Sequence, residues 1–313
     1  MKTNAKSVNT ESDTTSCITL WFFMNKRKRP LMGCAACVAG VFTALTVWQN
    51  IRIKTTRYEL RAENLPSAFD GFRIALLADI HSRRFGEKQE QLFARVRAAK
   101  PDLILIAGDW MDARRGHVED CIAQAEGLRA IAPVCGVYGN HEQRRIRKTG
   151  QDCFGPALQK AGVQMLHTSG TRIVRGGMYL NLIGVEDPAE MPNHPRKKEM
   201  ENAMDEMLGR VMNGVLPDEF TILVAHRPEF LSIYAKYPID LVCAGHAHGG
   251  QVRLPGVGGL FAPGQGLFPK YTGGEYNEDQ TTMVVSRGLG GRKAPIRILN
   301  MPELVVLTLK AGI

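Results

Sequence analysis

Five short polar clusters, each directly behind an apolar run, constrain this chain more than any other feature. The runs with their clusters cover residues 76–81, 104–112, 137–142, 223–228 and 242–250. Together these segments contain three Asp, one Asn and five of the eight His in the chain. Oxygen and imidazole donors that gather at strand ends can bind divalent metal ions.

The order of the predicted elements favours an α/β fold. Short buried strands alternate with amphipathic helices as far as residue 138, which is typical of a sheet flanked by helices. The later half is denser in strands and predicts a second sheet packed on the first. Strands are expected over residues 57–65, 73–78, 103–107, 133–138, 163–167, 171–174, 179–185, 220–225, 241–244, 251–254, 282–286, 297–299 and 304–309. Helices are expected over residues 88–99, 117–131 and 196–211.

An uncharged run of eighteen residues, Leu31–Trp48, follows the basic block Lys26–Arg29. A bilayer-spanning helix needs about 20 apolar residues, with a lower limit of about 17, and Trp48 would lie at the far interface. The apolarity on all sides and the basic flank favour an uncleaved signal anchor. A buried core helix is the alternative.

The charges beside this run bear on its orientation. The basic block predicts a cytoplasmic N-terminus, so a single-pass cell-membrane protein with an extracytoplasmic domain is expected. A second group of basic residues weakens that asymmetry because it flanks the other side of the run. These residues are Arg52, Lys54, Arg57 and Arg61.

Three segments are therefore predicted. They are an N-terminal tail over residues 1–30, a transmembrane anchor over residues 31–50 and a catalytic domain over residues 56–313. Within the tail, Met24 would begin a targeting segment whose basic region directly precedes the apolar core. We expect Met24 to be the natural start of the protein.

The net charge of +9 is concentrated at the N-terminus. Residues 1–55 carry eight Lys or Arg and two Asp or Glu, whereas the remainder carries 32 and 29. The excess indicates the flank of a membrane segment. Because the body is close to balanced, its charge predicts no specific binding of nucleic acid.

Pairs of donors follow two of the strands at a spacing that suits a shared cation. Asp79 and His81 are two residues apart at a strand end, where side chains i and i+2 point to one face. His246 and His248 have the same spacing between glycines, and they form the most specific of these motifs. An N-cap Asp beside an incidental His is the alternative for the first pair. His226, which ends another strand, is by itself more often a structural histidine.

Asp109 follows Gly108 at the end of a further strand, where glycine lets the backbone turn. A carboxylate has two oxygens and can bridge two cations, although a simple turn is the alternative for this motif. Asp112 is expected to orient its neighbours or to cap the next element.

The segment Gly139–Glu142 follows a third strand. Asn140 offers a neutral carbonyl oxygen to a metal ion. His141 could contact a phosphoryl oxygen or protonate a leaving alkoxide. Glu142 could hold the imidazole of His141 in the required tautomer. A polar loop without a function is the alternative.

The order D-x-H, G-D-x-x-D, G-N-H-E, H and G-H-x-H resembles the calcineurin-like metallophosphoesterase superfamily. The resemblance covers residues 56–313 and looks closest to the membrane-associated bacterial phosphodiesterase branch. The anchor and the tail motifs at 286–290, 295–297 and 302–303 carry that finer likeness. The resemblance implies a four-layer α/β/β/α sandwich of two mixed β-sheets flanked by helices, preceded by the N-terminal transmembrane helix.

The resemblance also implies a site for two divalent metal ions, and ligand type alone leaves Mn, Fe and Zn open. One ion would take Asp79, His81, Asp109 and His248, and the other Asp109, Asn140, His226 and His246. Asp109 bridges the ions, and His141 stabilises the transition state or donates a proton. Asp112 and Glu142 support these catalytic residues. The implied reaction is hydrolysis of a phosphoester by a hydroxide that bridges the two metals.

The substrate is less constrained than the chemistry. The anchor favours a phosphodiester of a lipid or of the cell envelope. Arg83 and Arg84 could contact an anionic substrate, although a solvated surface pair is the alternative. Two other functions stay open, namely a phosphomonoesterase or nucleotidase on the same scaffold, and a non-catalytic binding module stabilised by metal.

Overall fold

The chain divides into two units, Met1–Trp48 and Gln49–Ile313. A computed structural model describes residue 37 and residues 39–114, 116–188, 196–291 and 297–312. The described residues of the first unit, 37 and 39–48, are helical, and the helix over residues 39–51 is called α1.

The predicted membrane anchor is only partly covered by this description. Among the described residues, no helix combines the length and the apolarity that crossing a bilayer requires. Residues 31–36 and 38 of the predicted anchor lie outside the described residues, as do the predicted tail 1–30 and Met24. The anchor, the early start and the membrane location therefore stay predictions.

The unit Gln49–Ile313 contains both strands and helices. The strands are β1 (Lys54–Ala62), β2 (Arg73–Leu77), β3 (Leu103–Ala107), β4 (Val134–Val137), β5 (Gln164–Met165), β6 (Ser169–Arg175), β7 (Met178–Gly184), β8 (Thr221–Val224), β9 (Leu241–Ala244), β10 (Arg253–Leu254), β11 (Gly258–Gly259), β12 (Phe261–Ala262), β13 (Gly266–Leu267), β14 (Gly274–Glu278), β15 (Thr281–Val285) and β16 (Glu303–Ala311). The helices are α2 (Glu90–Ala99), α3 (Val118–Arg129), α4 (Asn140–Thr149), α5 (Phe154–Lys160), α6 (Lys197–Val211) and α7 (Leu231–Tyr234).

Two six-stranded mixed sheets dominate the unit. The first has the order β1-β16-β2-β3-β4-β5, and the second has the order β14-β15-β9-β8-β7-β6. Strands β2 to β5 are parallel to one another, as are β7, β8 and β9. Every residue of β3 and β8 is buried, as expected for parallel strands that are covered on both faces.

Apolar side chains alternate between two cores along each central strand. Ile74 and Leu76 of β2 lie in the core between the two sheets, whereas Ala75 and Leu77 pack against α2, α3 and α5. On the other sheet, Leu223 of β8 packs against α6 and α7. The prediction of an α/β fold with two mixed sheets flanked by helices is therefore confirmed.

Because parallel strands begin at one edge of a sheet and end at the other, their carboxyl ends meet. Strands β2, β3 and β4 of the first sheet and β8 and β9 of the second all end beside one another. Each of these strands is followed by one of the five polar clusters. The fold thus gathers the donors from both sheets at one place.

Several local expectations differ from the structure. Helix α4, which begins at Asn140, was not expected, because its sequence is mostly charged and polar. Helix α5 and strand β14 were not expected. The expected strand over residues 297–299 is a single bridge between Ile298 and Val252.

Candidate metal centre

The donors leave their strands in tight left-handed turns rather than in extended chain. Positive φ angles occur at Asp79 (49°), His81 (50°), Asp109 (51°), His246 (65°) and His248 (48°). Such a conformation costs a non-glycine residue about 1–3 kcal/mol and persists only where the surroundings impose it. The expectation that Asp79 and His81 share one face of an extended strand was wrong, because the turn itself brings their side chains together.

The first group of donors consists of Asp79, His81, Asp109 and His248, whose ligand atoms all lie within 4.8 Å of one another. The Nε2 atoms of His81 and His248 face each other at 3.3 Å. Asp109 Oδ2 lies 3.6 Å from His81 Nε2, and Asp79 Oδ1 lies 3.7 Å from His248 Nε2. All four side chains are buried, so bulk water cannot hydrogen-bond freely to their polar atoms.

The second group consists of Asp109, His226 and His246, again within 4.8 Å. Asp109 Oδ2 lies 3.4 Å from His226 Nε2, and His226 Nε2 lies 3.0 Å from His246 Nδ1. His226 Nδ1 donates to the carbonyl of Ala107 at 2.7 Å. That bond fixes the tautomer and leaves Nε2 of His226 directed at the group.

The two oxygens of Asp109 have different partners. Oδ2 is the atom that both groups share, because it faces His81 on one side and His226 on the other. Oδ1 accepts a hydrogen bond from the backbone N–H of His141 at 2.9 Å. The carboxylate is thereby held with one oxygen between the two donor groups.

Glu142 holds the backbone of this turn. Its Oε2 accepts hydrogen bonds from the N–H groups of Asp109 (3.0 Å) and Gly139 (2.9 Å), and its Oε1 accepts from Met111 (2.7 Å). The expectation that Glu142 orients the imidazole of His141 was therefore wrong, because its oxygens are engaged by backbone amides. It positions Asp109 instead.

The imidazole of His141 is oriented by another backbone group. The N–H of Ala113 donates to Nδ1 of His141 at 3.1 Å, so the ring proton of the neutral tautomer resides on Nε2. Asp112 Oδ2 lies 3.7 Å from the same Nδ1, and Asp112 Oδ1 accepts from the N–H of Arg114. Asp112 thus shapes the loop that carries Ala113.

Two glycines allow the strand ends to approach. A Cβ added to Gly139 would lie 2.3 Å from Asp109 Oδ1, and one added to Gly108 would lie 2.6 Å from His226 Nδ1. Both distances are far shorter than any real contact. Glycine is needed here because the backbones of the β3 and β4 turns pack directly on the donors.

Burial and mutual charge shift the donors' acidity. Burial raises the pKa of Asp79 to about 7 and lowers the pKa of His81 to about 4. Burial also holds the pKa of His246 and of His248 well below its ordinary value. Burial opposes charge on His226 too, but the Asp109 carboxylate outweighs it and raises that pKa to about 10. Neutral imidazoles are available as ligands, and a cation would take the place of the His226 proton.

Unsatisfied polar atoms test whether the residues fit metal ions. Among the described residues, the buried atoms Asn140 Oδ1, His246 Nε2, His81 Nδ1 and His248 Nδ1 lack a hydrogen-bond partner. Of these atoms, the Asn140 carbonyl oxygen is the one assigned above as a ligand, and a buried oxygen without a hydrogen-bond donor fits coordination to a cation. Carboxylate, amide and imidazole donors without a thiolate suit divalent ions and do not single out one metal.

A cavity of about 670 Å³ opens over these donors. Its lining residues are His81, Arg83, Asp109, Asp112, Ala113, Arg114, Asn140, His141, Arg144, Arg227, His246, His248, Pro263, Gly264 and Gly291. Of the two arginines expected to contact substrate, only Arg83 is among these lining residues. Arg83 lines the cavity but donates to the carbonyls of Leu289 and Asn50, whereas Arg84 pairs with Asp120 (2.5 Å) away from the described lining.

Arg227 is a lining residue that the sequence analysis missed. Its Nε donates to both oxygens of Asp187 at 2.9 and 2.8 Å, and its Nη1 donates to Glu229 at 2.9 Å. Burial opposes its charge, but these carboxylates raise its pKa further above the ordinary value. Its position directly after His226 is the signal that could have identified it.

Arg297 holds the loop that packs against Asp79. It is fully buried and donates to the carbonyls of Gly290 and Arg287. The segment that it holds lies against Asp79, because Gly290 N–H donates to the Asp79 carbonyl at 2.6 Å. The tail motif at residues 295–297 contains this arginine, but nothing in the motif predicts its contacts.

Several known proteins are similar to this chain over most of its length. The chain is 29% identical over 268 residues to the uncharacterized metallophosphoesterase YkuE of Bacillus subtilis, covering 83% of this chain and 86% of that protein. It is 28% identical to the phosphodiesterase YaeI of Escherichia coli, covering 76% and 82%. It is also 28% identical to the transmembrane protein with metallophosphoesterase domain of Bos taurus, covering 82% of this chain and 57% of that protein.

Among solved structures, TT1561 of Thermus thermophilus overlaps 70% of this chain and 90% of its own length, with a TM-score of 0.46 and 14% identity. The family model described as calcineurin-like phosphoesterase matches residues 72–250, which span the clusters from Asp79 to His248. That match covers more than half of the chain, and the chain therefore belongs to the calcineurin-like phosphoesterase family.

Proposed function

We propose that this protein is a two-metal phosphodiesterase. The observation that carries the proposal is the position of Asp109 Oδ2, which lies 3.6 Å from His81 Nε2 and 3.4 Å from His226 Nε2. A single carboxylate oxygen between two sets of imidazoles is the arrangement that two neighbouring cations require.

The chain's donors divide between two cations. Asp79, His81 and His248 would hold one, and Asn140, His226 and His246 would hold the other, with Asp109 shared. When bound, the ions supply charge that stabilises the phosphoryl oxygens and a nucleophile derived from water. The chain itself holds these ligands in place through Glu142 and the Ala107 carbonyl.

His141 supplies the proton chemistry. Its Nδ1 accepts from the Ala113 amide, so its Nε2 is the atom that carries a transferable proton. The ring lies 4.4 Å from the ring of His81 and lines the cavity. Donation of that proton to a leaving oxygen is the role that this geometry supports best.

A diester is favoured over a monoester by two observations. The cavity is roomier than a single phosphate requires and is lined by arginines as well as by the donors. The relative YaeI, at 28% identity, is named as a phosphodiesterase. The two alternatives, a phosphomonoesterase and a non-catalytic binding module, are distinguished by the experiment that follows.

The test combines metal analysis with paired substrates. Protein loaded in turn with Mn, Fe or Zn is assayed on bis(p-nitrophenyl) phosphate and on p-nitrophenyl phosphate. We expect two metal ions per chain and a higher kcat/KM for the diester. A preference for the monoester would assign a phosphomonoesterase, and bound metal without hydrolysis of either ester would assign a binding module.

We also propose that Leu31–Trp48 anchors the protein in the cell membrane, with the catalytic unit on the extracytoplasmic side. The eighteen uncharged residues behind a basic block support it, and the Bos taurus relative is named as a transmembrane protein. Alkaline extraction of membranes and protease treatment of intact cells test it. Release by carbonate would refute the anchor, and protection from protease would refute the orientation.

A further inference from the structure

The exposed large apolar side chains of the catalytic unit are concentrated in one stretch of the chain. Outside helix α1, six of the nine large apolar residues that are exposed in the described part of the chain lie within residues 254–268 or at residue 299. These six are Leu254, Val257, Phe261, Leu267, Phe268 and Leu299. Concentrated exposed apolar residues mark interaction sites more often than scattered ones do. We call these six residues the hairpin surface.

Two short hairpins carry most of the hairpin surface. Strands β10 and β11 form the first, and strands β12 and β13 form the second. The hairpins follow His248 directly in the chain, and the N–H of Leu260 donates to the carbonyls of Gly250 and Val252. The hairpin surface is therefore built onto the turn that carries a metal ligand.

The second hairpin also borders the cavity. Pro263 and Gly264, in its turn, line the opening over the donors. Leu267 and Phe268, on the same hairpin, are 72% and 70% exposed. The hairpin thus borders a cavity whose polar lining comes from the metal-binding donors, and it exposes apolar side chains beside that cavity. This arrangement matches a substrate with a phosphate headgroup and an apolar tail.

Two residues of the hairpin surface have a strained backbone. Phe268 has a φ of 50° and Leu299 a φ of 52°. Bulky residues rarely adopt the left-handed conformation, and such strain clusters at ligand-binding sites. Neither residue offsets its strain by packing in the core, since both are exposed.

The first hairpin is connected to the start of the unit Gln49–Ile313. Asn50 is the second residue of that unit, and its Oδ1 accepts from the N–H of Arg297 at 3.0 Å. The next residue, Ile298, bridges to Val252 and accepts from the N–H of Arg253 at 3.0 Å. The start of the unit is thus linked through residues 297–298 to the first hairpin.

We propose that the hairpin surface inserts into the interface of an anionic lipid bilayer and presents the cavity to phosphodiester headgroups of that bilayer. This inference rests on the proposed phosphodiesterase for its substrate, but not for its membrane contact. The exposed Lys270 directly behind Phe268 and Pro269 supplies positive charge beside the apolar side chains. Basic residues that flank apolar ones favour anionic lipid surfaces.

Depth-dependent fluorescence quenching tests the membrane contact without relying on activity. The full chain carrying Phe268→Trp is reconstituted in phosphatidylcholine–phosphatidylglycerol vesicles with or without brominated acyl chains. We expect the added indole emission to be quenched by bromine. The matched control is Val174→Trp on β6, since Val174 is also 70% exposed, and its indole should not be quenched. Leu267→Trp is a second probe in case the strained position does not accept the indole.

Equal quenching at Phe268, Leu267 and Val174 would overturn the membrane contact. A second measurement addresses the substrate, with Leu267→Ser and Phe268→Asn combined. We expect this variant to lose about tenfold or more of its rate on phosphatidylglycerol in vesicles, since two apolar groups no longer leave water. Its rate on soluble bis(p-nitrophenyl) phosphate should match that of the parent and of Val174→Ser.

The possible failures are distinguishable. If the parent hydrolyses neither ester, the proposed phosphodiesterase fails, while the quenching result still decides the membrane contact. If the parent hydrolyses the soluble ester but not the lipid, the lipid substrate is overturned. Hydrolysis of a soluble glycerol phosphate polymer in place of the lipid would assign the cavity to a cell-envelope polymer.

Discussion

At the scale of single residues, Asp109 illustrates how one side chain combines two tasks. Its Oδ1 is tied to the His141 amide, while its Oδ2 is shared between the two donor groups. A carboxylate that was free to rotate could not keep one oxygen between two cations. The hydrogen bond to Oδ1 therefore keeps Oδ2 directed between the two donor groups.

Asp109→Asn should lose both metal ions and nearly all activity, because an amide cannot offer a charged oxygen to two cations. Metal content by mass spectrometry and turnover of bis(p-nitrophenyl) phosphate measure the two effects. Asp120→Asn is the control, since Asp120 pairs with the exposed Arg84 away from the donors. Normal turnover in Asp109→Asn would exclude the bridging role.

His141→Ala should keep its metal and lose about 10²–10⁴-fold in kcat, which is the usual contribution of a general acid. The ring is held by the Ala113 amide and has no place among the ligands of the two groups assigned above. His167→Ala is the control, because His167 bonds to Glu186 and is not a cavity residue. Loss of metal with an unchanged residual rate would show that the role is misassigned.

Gly139→Ala should displace Asp109, because a Cβ there would lie 2.3 Å from its Oδ1. The φ of Gly139 is −91°, so an alanine suffers no backbone penalty and the effect is purely steric. Reduced metal affinity in a titration is expected. Gly209→Ala in helix α6 has room and should be neutral or stabilising by up to about 1 kcal/mol. Equal metal affinity in both variants would contradict the close approach.

At the scale of elements, the sequence predicted the strands that carry the donors better than the segments that orient them. Strands β2, β3 and β8 are short apolar runs buried on both faces, so their positions follow from composition. Helix α4 has few apolar residues, and its first turn is fixed by Glu142 through contacts with the β3 turn. Contacts between distant segments of this kind leave no periodic trace in the sequence.

The loop behind Asp79 depends on Arg297, which donates to carbonyls of Gly290 and Arg287. Arg297→Met should lower the free energy of unfolding by about 2–4 kcal/mol, because buried carbonyls would lose their donor. Denaturant unfolding measures it. Arg210→Met is the control, since Arg210 forms an exposed pair with Glu206 and its loss should change stability by less than about 0.5 kcal/mol. Similar losses in both variants would contradict the supporting role.

At the scale of the whole molecule, the metal centre lies where the two sheets meet. Asp79, Asp109 and Asn140 follow strands of the first sheet, whereas His226 and His246 follow strands of the second. The order of motifs predicted which residues would gather. It did not predict the left-handed turns or the hairpin surface, because both depend on how the sheets and the chain's C-terminal segment pack together.

Metal ions at this position should stabilise the whole catalytic unit, since they join donors from both sheets. A ligand at about 100 times its Kd stabilises the folded state by about 2.7 kcal/mol. A unit of this size should then lose roughly 5–10 °C in Tm when EDTA removes the ions. Calorimetry with and without EDTA measures the shift. In Asp109→Asn the shift in Tm on adding EDTA should vanish, because that variant holds no metal. A shift in Tm equal to the parent's would place the stabilising ions elsewhere in the protein.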